Sequence, residues 1–181
     1  MRPILFDADA FHCVRNLSIL ELFRQAPVDQ TPFFVTEYVG RHELHDVESD
    51  VKALEAEHRL QIMPVSRRKT DPEGARFRAY REDKLDKGEA ESLAWVMGLA
   101  DSKPLFISND RPAREGFERH GAPVGDVMDL VVEAIASGAI ERDAAREKIA
   151  SAWDERPNHL CRPRDYEDFD STFARRLAKR P

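Results

Sequence analysis

Four acidic residues lie where a predicted strand meets a helix or in the first turns of a helix. They are Asp7, Glu43, Glu89 and Asp110. A buried carboxylate without a partner is costly, so packing alone does not explain an apolar strand that ends in one. Four such positions in one small α/β domain predict a shared pocket at the carboxyl ends of parallel strands. Because hard divalent cations prefer oxygen ligands, this pocket predicts a metal-dependent hydrolase.

Each acid also has a structural alternative. Glu89 suits the first turn of a helix, where the helix dipole favours a negative charge. Asp110 could be a helix N-cap, and Glu43 could be an exposed helix residue. Asp7 has the weakest alternative, because it directly follows the apolar strand Ile-Leu-Phe.

Strand-like and helix-like segments alternate along the chain. Predicted strands end near Phe6, Thr36, Pro64, Ser108 and Val124. Five predicted helices cover residues 8–25, 48–59, 88–100, 127–137 and 142–153. Two more begin after Thr36, which would be an N-cap, and near Pro112, which suits a first helical turn. This alternation predicts a three-layer α/β/α sandwich with a central, mostly parallel sheet of about five strands.

The length of 181 residues predicts one domain over residues 1–140 with a C-terminal helical extension over 141–181, either docked or partly disordered. No apolar run approaches the roughly 18 to 20 residues of a membrane span. The first residues do not resemble a signal peptide, and Cys13 and Cys161 have neither disulfide nor metal-ligand spacing. We therefore expect a cytoplasmic protein that does not enter a membrane.

The net charge of −6 argues against polyanion binding by the whole surface. Residues 67–87, however, carry eight basic side chains against five acidic ones. This stripe could guide a phosphate backbone to the pocket, or it could be a solvated helix face with internal ion pairs. Phe77 and Tyr80 lie between these cations and could stack a base, although Phe77 could equally be a packing residue.

The segments ILFDADAF, VTEYVGRHEL, KGEAESLAWV and ISNDRPAR, followed by RHGAPVGDVMDLVVEAIASGAI, resemble a PIN domain over about residues 3–140. The Gly-Glu-Ala-Glu sequence at the start of the helix resembles that of the PIN branch related to the VapC-like toxins of toxin–antitoxin pairs. PIN domains are magnesium- or manganese-dependent nucleases that mostly cut RNA. The resemblance therefore implies an endoribonuclease.

The resemblance implies Asp7, Glu43, Glu89 and Asp110 as the catalytic acids, with Glu37 as the alternative to Glu43. Three of them, Asp7, Glu89 and Asp110, would bind Mg²⁺ or Mn²⁺.

Substrate binding is predicted for the residues around the last acid. Ser108 and Asn109 match the polar residues that precede it, and Arg111 and Arg114 would receive the RNA backbone. Asp126 is a further candidate for the pocket, and the role of Glu91 stays open.

The partners that the resemblance implies are RNA and a small antitoxin that would place a helix, with an arginine, in the acidic pocket. A homodimer could form through the apolar residues of the tail. Those residues are Tyr166, Phe169, Phe173 and Leu177.

Two other functions compete with the nuclease. The same fold could be a non-catalytic module that binds RNA or protein. Alternatively, ILFDADAF also matches the hydrophobic strand and Asp-x-Asp of a HAD-like phosphatase. Against the phosphatase, too few residues separate Ser108 from Asp126 for the lysine motif and strand that should lie between them.

Overall fold

The computed structural model describes residues 1–28, 33–100, 103–155 and 169–179. Its five strands form one sheet in which every pairing is parallel, with strand order β3-β2-β1-β4-β5. The strands are β1 Ile4–Phe6, β2 Phe33–Thr36, β3 Leu60–Met63, β4 Leu105–Ile107 and β5 Val124–Gly125. Helices flank the sheet, so the prediction of an α/β/α sandwich is confirmed.

The helices alternate with these strands along the chain. They are α1 Ala8–Asn16, α2 Ile19–Gln25, α3 Glu48–Ala56, α4 Pro72–Glu82, α5 Lys87–Val96, α6 Arg111–Arg119, α7 Val127–Ala136, α8 Arg142–Glu155 and α9 Phe169–Leu177. Between β2 and α3 the chain forms a π-helix, Val39–Glu43, and a short 3₁₀ turn, His45–Val47.

The two faces of the sheet bury different sets of side chains, as expected when side chains alternate along a strand. Ile4 and Phe6 of β1 point to a core that contains residues of α1, α2, α3, α7, α8 and α9. Leu5 points to the opposite core, which contains residues of α4, α5 and α6. The three layers therefore follow directly from the period-two pattern of the strands.

The strand order creates a crevice between β1 and β4. From β1 the chain passes to β2 and then β3 on one side, and it returns to β4 and β5 on the other. In open α/β sheets, ligands bind outside the carboxyl ends of the strands where the order reverses in this way. Phe6 pairs with Ile107, so Asp7 and Ser108 leave the sheet side by side at this crevice.

Three details differ from the sequence-based expectations. The single helix predicted over residues 8–25 is wrong: α1 and α2 are separate, and Ser18 between them has a left-handed backbone with φ of 55°. The hydroxyl of Thr36, expected to cap a helix, lies 3.3 Å from that of Ser92. The fifth strand begins at Val124 because Gly121, with φ of 70°, closes the turn after α6.

The C-terminal extension packs on the rest of the chain. Ala145 and Ile149 of α8 are buried, and Phe169 and Phe173 of α9 are buried in the same core. Leu177 is 41% exposed. Tyr166 lies outside the described residues. Among the described helices, none is long and apolar enough to cross a lipid bilayer.

Arg59 is the main buried cation of the fold. Its guanidinium donates hydrogen bonds to the carbonyl oxygens of Phe23, Arg24 and Ala26 at 2.7, 2.6 and 2.8 Å. These carbonyls lie at the end of α2, where carbonyl groups lose their helical partners; that of Phe23 also accepts from the Ala26 amide at 3.3 Å. Arg59 therefore connects the start of β3 to the end of α2.

Replacing Arg59 with Met should lower the free energy of unfolding by about 3 kcal/mol, because it leaves buried carbonyl oxygens without donors. Urea denaturation measures this loss. The control is Arg15→Met, which removes a more exposed ion pair with Asp50 and should cost less than about 1 kcal/mol. Equal losses in the two variants would show that Arg59 does not have this structural role.

Candidate active site

Asp7 and Ser108 join the ends of β1 and β4. Asp7 is the N-cap of α1, and its Oδ1 accepts a hydrogen bond from the amide of Ala8 at 2.9 Å. The buried hydroxyl of Ser108 donates to Oδ2 of Asp7 at 2.8 Å. This bond fixes the carboxylate at the crevice where the strand order reverses.

Asp110 follows two residues later and is the N-cap residue of α6. Its amide donates to the Ser108 hydroxyl at 3.1 Å, but its side chain makes no capping hydrogen bond. Its negative charge raises the pKa of Glu89, so the two carboxylates lie close enough for their charges to interact. Asp110 occupies the N-cap position without using its side chain to cap the helix. Asn109, between Ser108 and Asp110, accepts a hydrogen bond at Oδ1 from the amide of Val127 at 3.4 Å, and this bond connects the loop to α7.

Glu43 is the last residue of the π-helix, and its carboxylate rests on the backbone of Gly88. A methyl group on Gly88 would lie only 2.7 Å from either carboxylate oxygen of Glu43. Glycine at the start of α5 is therefore what allows the π-helix and α5 to approach each other here. Glu43 has no hydrogen bond or ion pair with any described residue.

Glu89 forms a reciprocal capping box with Asp86 at the start of α5. The Glu89 amide donates to Oδ1 of Asp86 at 2.7 Å, and the Asp86 amide donates to Oε2 of Glu89 at 3.0 Å. Glu89 therefore does stabilise the first turn of a helix, as its structural alternative proposed. The capping box also holds two further carboxylates at the mouth of the crevice, beside Glu43.

The acids raise one another's pKa values. Burial is the largest cause for Glu43 and raises its pKa to about 7, with added contributions from the charges of four other carboxylates. Those four are Asp86, Asp7, Glu89 and Asp9.

Burial likewise raises the pKa of Asp7 to about 7, although the hydrogen bonds from Ser108 and Ala8 oppose the shift. The pKa of Glu89 is raised by burial and by the charges of Asp86 and Asp110. These mutual effects show that acids far apart in sequence meet at one end of the sheet.

No described cation forms an ion pair with any acid of this cluster, which comprises Asp7, Asp9, Glu43, Asp86, Glu89 and Asp110. The charge of Arg81 opposes the raised pKa of Glu89, but a partly buried group of carboxylates without an ion-pair partner is unfavourable. The donor set therefore has an excess of hard oxygen atoms and a shortage of positive charge.

The spacing of the cluster is wider than one coordination shell. Within the described residues, no three His, Cys, Asp or Glu side chains are close enough together to hold a metal ion directly. Mg²⁺ ordinarily keeps several waters and takes only one or two carboxylates. The cluster thus fits a hydrated divalent cation better than a fully protein-bound one.

The two arginines predicted to bind substrate have partners within the chain. Arg111 forms an exposed i,i+4 pair with Glu115 at 2.6 Å. Arg114 donates to the carbonyl oxygen of Ser108 at 2.6 Å and so supports the loop that carries Asp110. Arg111 remains available to solvent, while Arg114 contributes to the position of the acids.

Glu37 and Glu91 have ion-pair partners of their own. Glu37 pairs with Arg41 at 2.9 Å, and its charge is not among those that shift Asp7 or Glu43. The structure therefore favours Glu43 as the second acid. Glu91 is fully buried, pairs with Arg67 at 2.7 Å and accepts from the amide of Tyr38 at 2.6 Å.

Asp126 belongs to a separate cluster at the start of α7. It forms a capping box with Asp129, and Arg176 of α9 donates to both carboxylates at 2.7 Å. A second nitrogen of Arg176 donates to Asp126 at 2.9 Å. Asp126 thus has a cation of its own and holds the C-terminal helix on α7.

The basic stripe of residues 67–87 is only partly free to bind a ligand. Arg76, Arg78 and Arg81 donate to the carbonyl oxygens of Ala94, Lys69 and Leu85, and these bonds stabilise α4 and its surroundings. Tyr80 is buried with its ring 4.7 Å from that of His120, so the prediction that it stacks a base is wrong. Phe77 is half-buried beneath Arg67.

Asp86 is the residue that the sequence analysis missed. Its charge contributes to the raised pKa values of Asp7, Glu43 and Glu89. The signal was present as Asp-x-x-Glu before an apolar helix, which is the pattern of a capping box. The pattern identifies a helix start, but it does not reveal that the start lies beside other carboxylates.

No family model matches this chain, and no curated protein matches it either.

Proposed function

We propose that this protein is a Mg²⁺- or Mn²⁺-dependent endoribonuclease of the PIN type, which hydrolyses RNA at the carboxylate cluster. The observation that carries the proposal is the unpaired Glu43 carboxylate, half-buried against Gly88 and facing Asp7, Asp86 and Glu89. Above the raised pKa of Glu43, a carboxylate in that position needs a cation to compensate its charge. The cluster also lies at the crevice where α/β folds bind ligands.

Asp7, Glu89 and Asp110 would surround a hydrated metal ion, and Glu43 would complete the negative site. A bound divalent cation supplies charge neutralisation of the scissile phosphate and a more acidic water. The chain itself contributes fixed geometry. Ser108 orients Asp7, and the capping box orients Glu89.

The direct test is cleavage of a labelled single-stranded RNA by the purified full chain. We expect RNA shortening in Mg²⁺ or Mn²⁺ and none in excess EDTA. Binding without cleavage in either metal would contradict the nuclease and favour a non-catalytic binding module. Turnover of a phosphomonoester with inhibition by vanadate, and no effect on RNA, would favour a HAD-like phosphatase instead.

Gly88→Ala should separate the geometry of the site from folding. The added methyl would displace the flexible Glu43 carboxylate, so we expect cleavage to slow by roughly 10- to 100-fold. The thermal unfolding midpoint should change little, because only the end of a side chain must move. The control is Ala136→Gly at the end of α7, which changes a helix away from the acids and should leave the rate of cleavage unchanged. Unaltered cleavage by Gly88→Ala would show that the position of Glu43 is unimportant.

We further infer a cytoplasmic location and two protein partners. A small antitoxin would supply a cation to the cluster, whose acids form no ion pair with the described residues. A second copy of the chain is the other partner, although Phe169 and Phe173 are already buried within one chain. Size-exclusion chromatography with light scattering measures the homodimer, and co-purification with the product of a short neighbouring reading frame tests the antitoxin.

A further inference from the structure

We propose that the open cavity between Tyr38, His42, Val65 and Arg67 binds an unpaired nucleobase of single-stranded RNA, next to the phosphate that the carboxylate cluster would hold. The inference rests on the proposed nuclease function, and it assigns a base-binding subsite to that function. The cavity has a volume of about 390 Å³, and its lining also includes Glu37 and Arg41, which form an ion pair with each other.

The cavity combines aromatic rings with cations. The rings of Tyr38 and His42 lie 4.9 Å apart and are tilted by 41°. The guanidinium of Arg67 lies 5.2 Å from the centre of the Tyr38 ring, and the ammonium of Lys87 lies 5.7 Å from it. Bases stack on aromatic rings and on guanidinium planes, and the cations meet the phosphates that follow.

Buried interactions hold this surface in place. Glu91 accepts hydrogen bonds from the Tyr38 amide and from two nitrogens of Arg67, at 2.6, 3.1 and 2.7 Å. Arg67 also lies 5.4 Å from the ring centre of Phe77, which supports it from the other side. A preformed surface of this kind binds without the cost of ordering its side chains. The buried position of Glu91, two residues after Glu89, is explained by this role.

The cavity and the carboxylate cluster share their structural elements. Tyr38 and His42 lie on the same helical segment as Glu43. Lys87 precedes Gly88, the residue on which the Glu43 carboxylate rests. A base in the cavity would therefore bind to the segment that carries Glu43, and Lys87, which contacts the Tyr38 ring, directly precedes Gly88.

This arrangement favours single strands over duplexes. Bases in a duplex are stacked and paired, so their faces cannot reach a protein ring. Stacking uses the face of the base and tolerates any base, so we expect little sequence preference from this cavity alone.

The test measures affinity without cleavage. Fluorescence anisotropy with a labelled single-stranded RNA of about ten nucleotides, in Mg²⁺, uses Asp7→Asn as the non-cleaving background. Adding Tyr38→Leu or His42→Ala should weaken binding by roughly 5- to 100-fold, the scale for losing one stacked base. Tyr38→Phe should restore binding to within about twofold, because it keeps the ring. His45→Ala is the matched control, since this exposed histidine lines a different cavity and its ring bonds to the backbone carbonyl oxygen of His42 rather than to the His42 ring.

The outcomes distinguish this inference from the proposed function. Equal affinities for the Tyr38→Leu, His42→Ala and His45→Ala proteins would overturn the base subsite, whether or not the wild-type chain cuts RNA. Equal weakening for single-stranded and duplex RNA would also overturn it. Ring-dependent binding by a wild-type chain that never cuts RNA would sustain the subsite and reject the nuclease. His42→Ala is the decisive variant if Tyr38→Leu fails to fold, because His42 is exposed.

Discussion

Replacing Asp7 with Asn should reduce metal-dependent RNA cleavage by about a thousandfold, the scale of losing an electrostatic group that acts in the transition state. The amide preserves size, and its oxygen can still accept the hydrogen bond from the Ala8 amide, whereas its NH2 group would have to donate to the Ser108 hydroxyl. It cannot supply a negative oxygen to a divalent cation. The measurement is the single-turnover rate on one RNA at fixed Mg²⁺ concentration.

The matched control is Asp50→Asn. Asp50 is also a partly buried carboxylate, but it pairs with Arg15 at the far end of α1 from Asp7. We expect its cleavage rate to stay within about twofold of wild type, because an ion pair at that distance from the site affects stability alone. Undiminished cleavage by the Asp7→Asn protein would mean that the activity belongs to a contaminant or to another site.

The stability of the metal-free protein should fall as pH rises from about 4 to about 7. The pKa of Asp7 is about 7 in the folded protein against an ordinary value of 3.8, and the pKa of Glu43 is also about 7. Between these values the folded protein keeps protons that the unfolded chain has released, so stability decreases with rising pH. The difference between these two pKa values of Asp7 corresponds to a loss on the order of 4 kcal/mol.

The comparison of variants isolates this effect from other titrating groups. Thermal unfolding in EDTA should show Asp7→Asn to be more stable than wild type at pH 8 and similar to it near pH 4, the lower end of this window. Adding Mg²⁺ at pH 8 should raise the midpoint of wild type and leave that of Asp7→Asn nearly unchanged. A wild-type midpoint that does not fall relative to Asp7→Asn between these pH values would contradict the proposed burial of the acids.

The sheet and its order of elements could be predicted from the sequence because they depend on local pattern. Short apolar runs marked the first four strands, and the acids that follow β1 and β4 leave the same edge of the sheet because these strands are neighbours and parallel. The break between α1 and α2 was not predictable in the same way. Apolar residues continue through Leu17 and Ile19 on both sides of Ser18, so helical periodicity alone gives no sign of the left-handed residue.

The site was harder to predict where it depends on contacts between distant elements. The choice between Glu37 and Glu43 required the π-helix, whose extra residue per turn cannot be read from side-chain periodicity. The capping box of Asp86 was visible in the sequence, but its proximity to Glu43 depends on the close approach that Gly88 allows. The tie between Arg176 and Asp126 joins segments 50 residues apart and has no local signal.

Anomalous diffraction from crystals of the full chain soaked in Mn²⁺ tests the central claim most directly. The account predicts a peak at the carboxyl ends of β1 and β4, bounded by Asp7, Glu89 and Asp110, and no such peak in crystals of the Asp7→Asn protein. A wild-type crystal with no peak in that crevice, or with manganese only at Asp126 and Asp129, would contradict it.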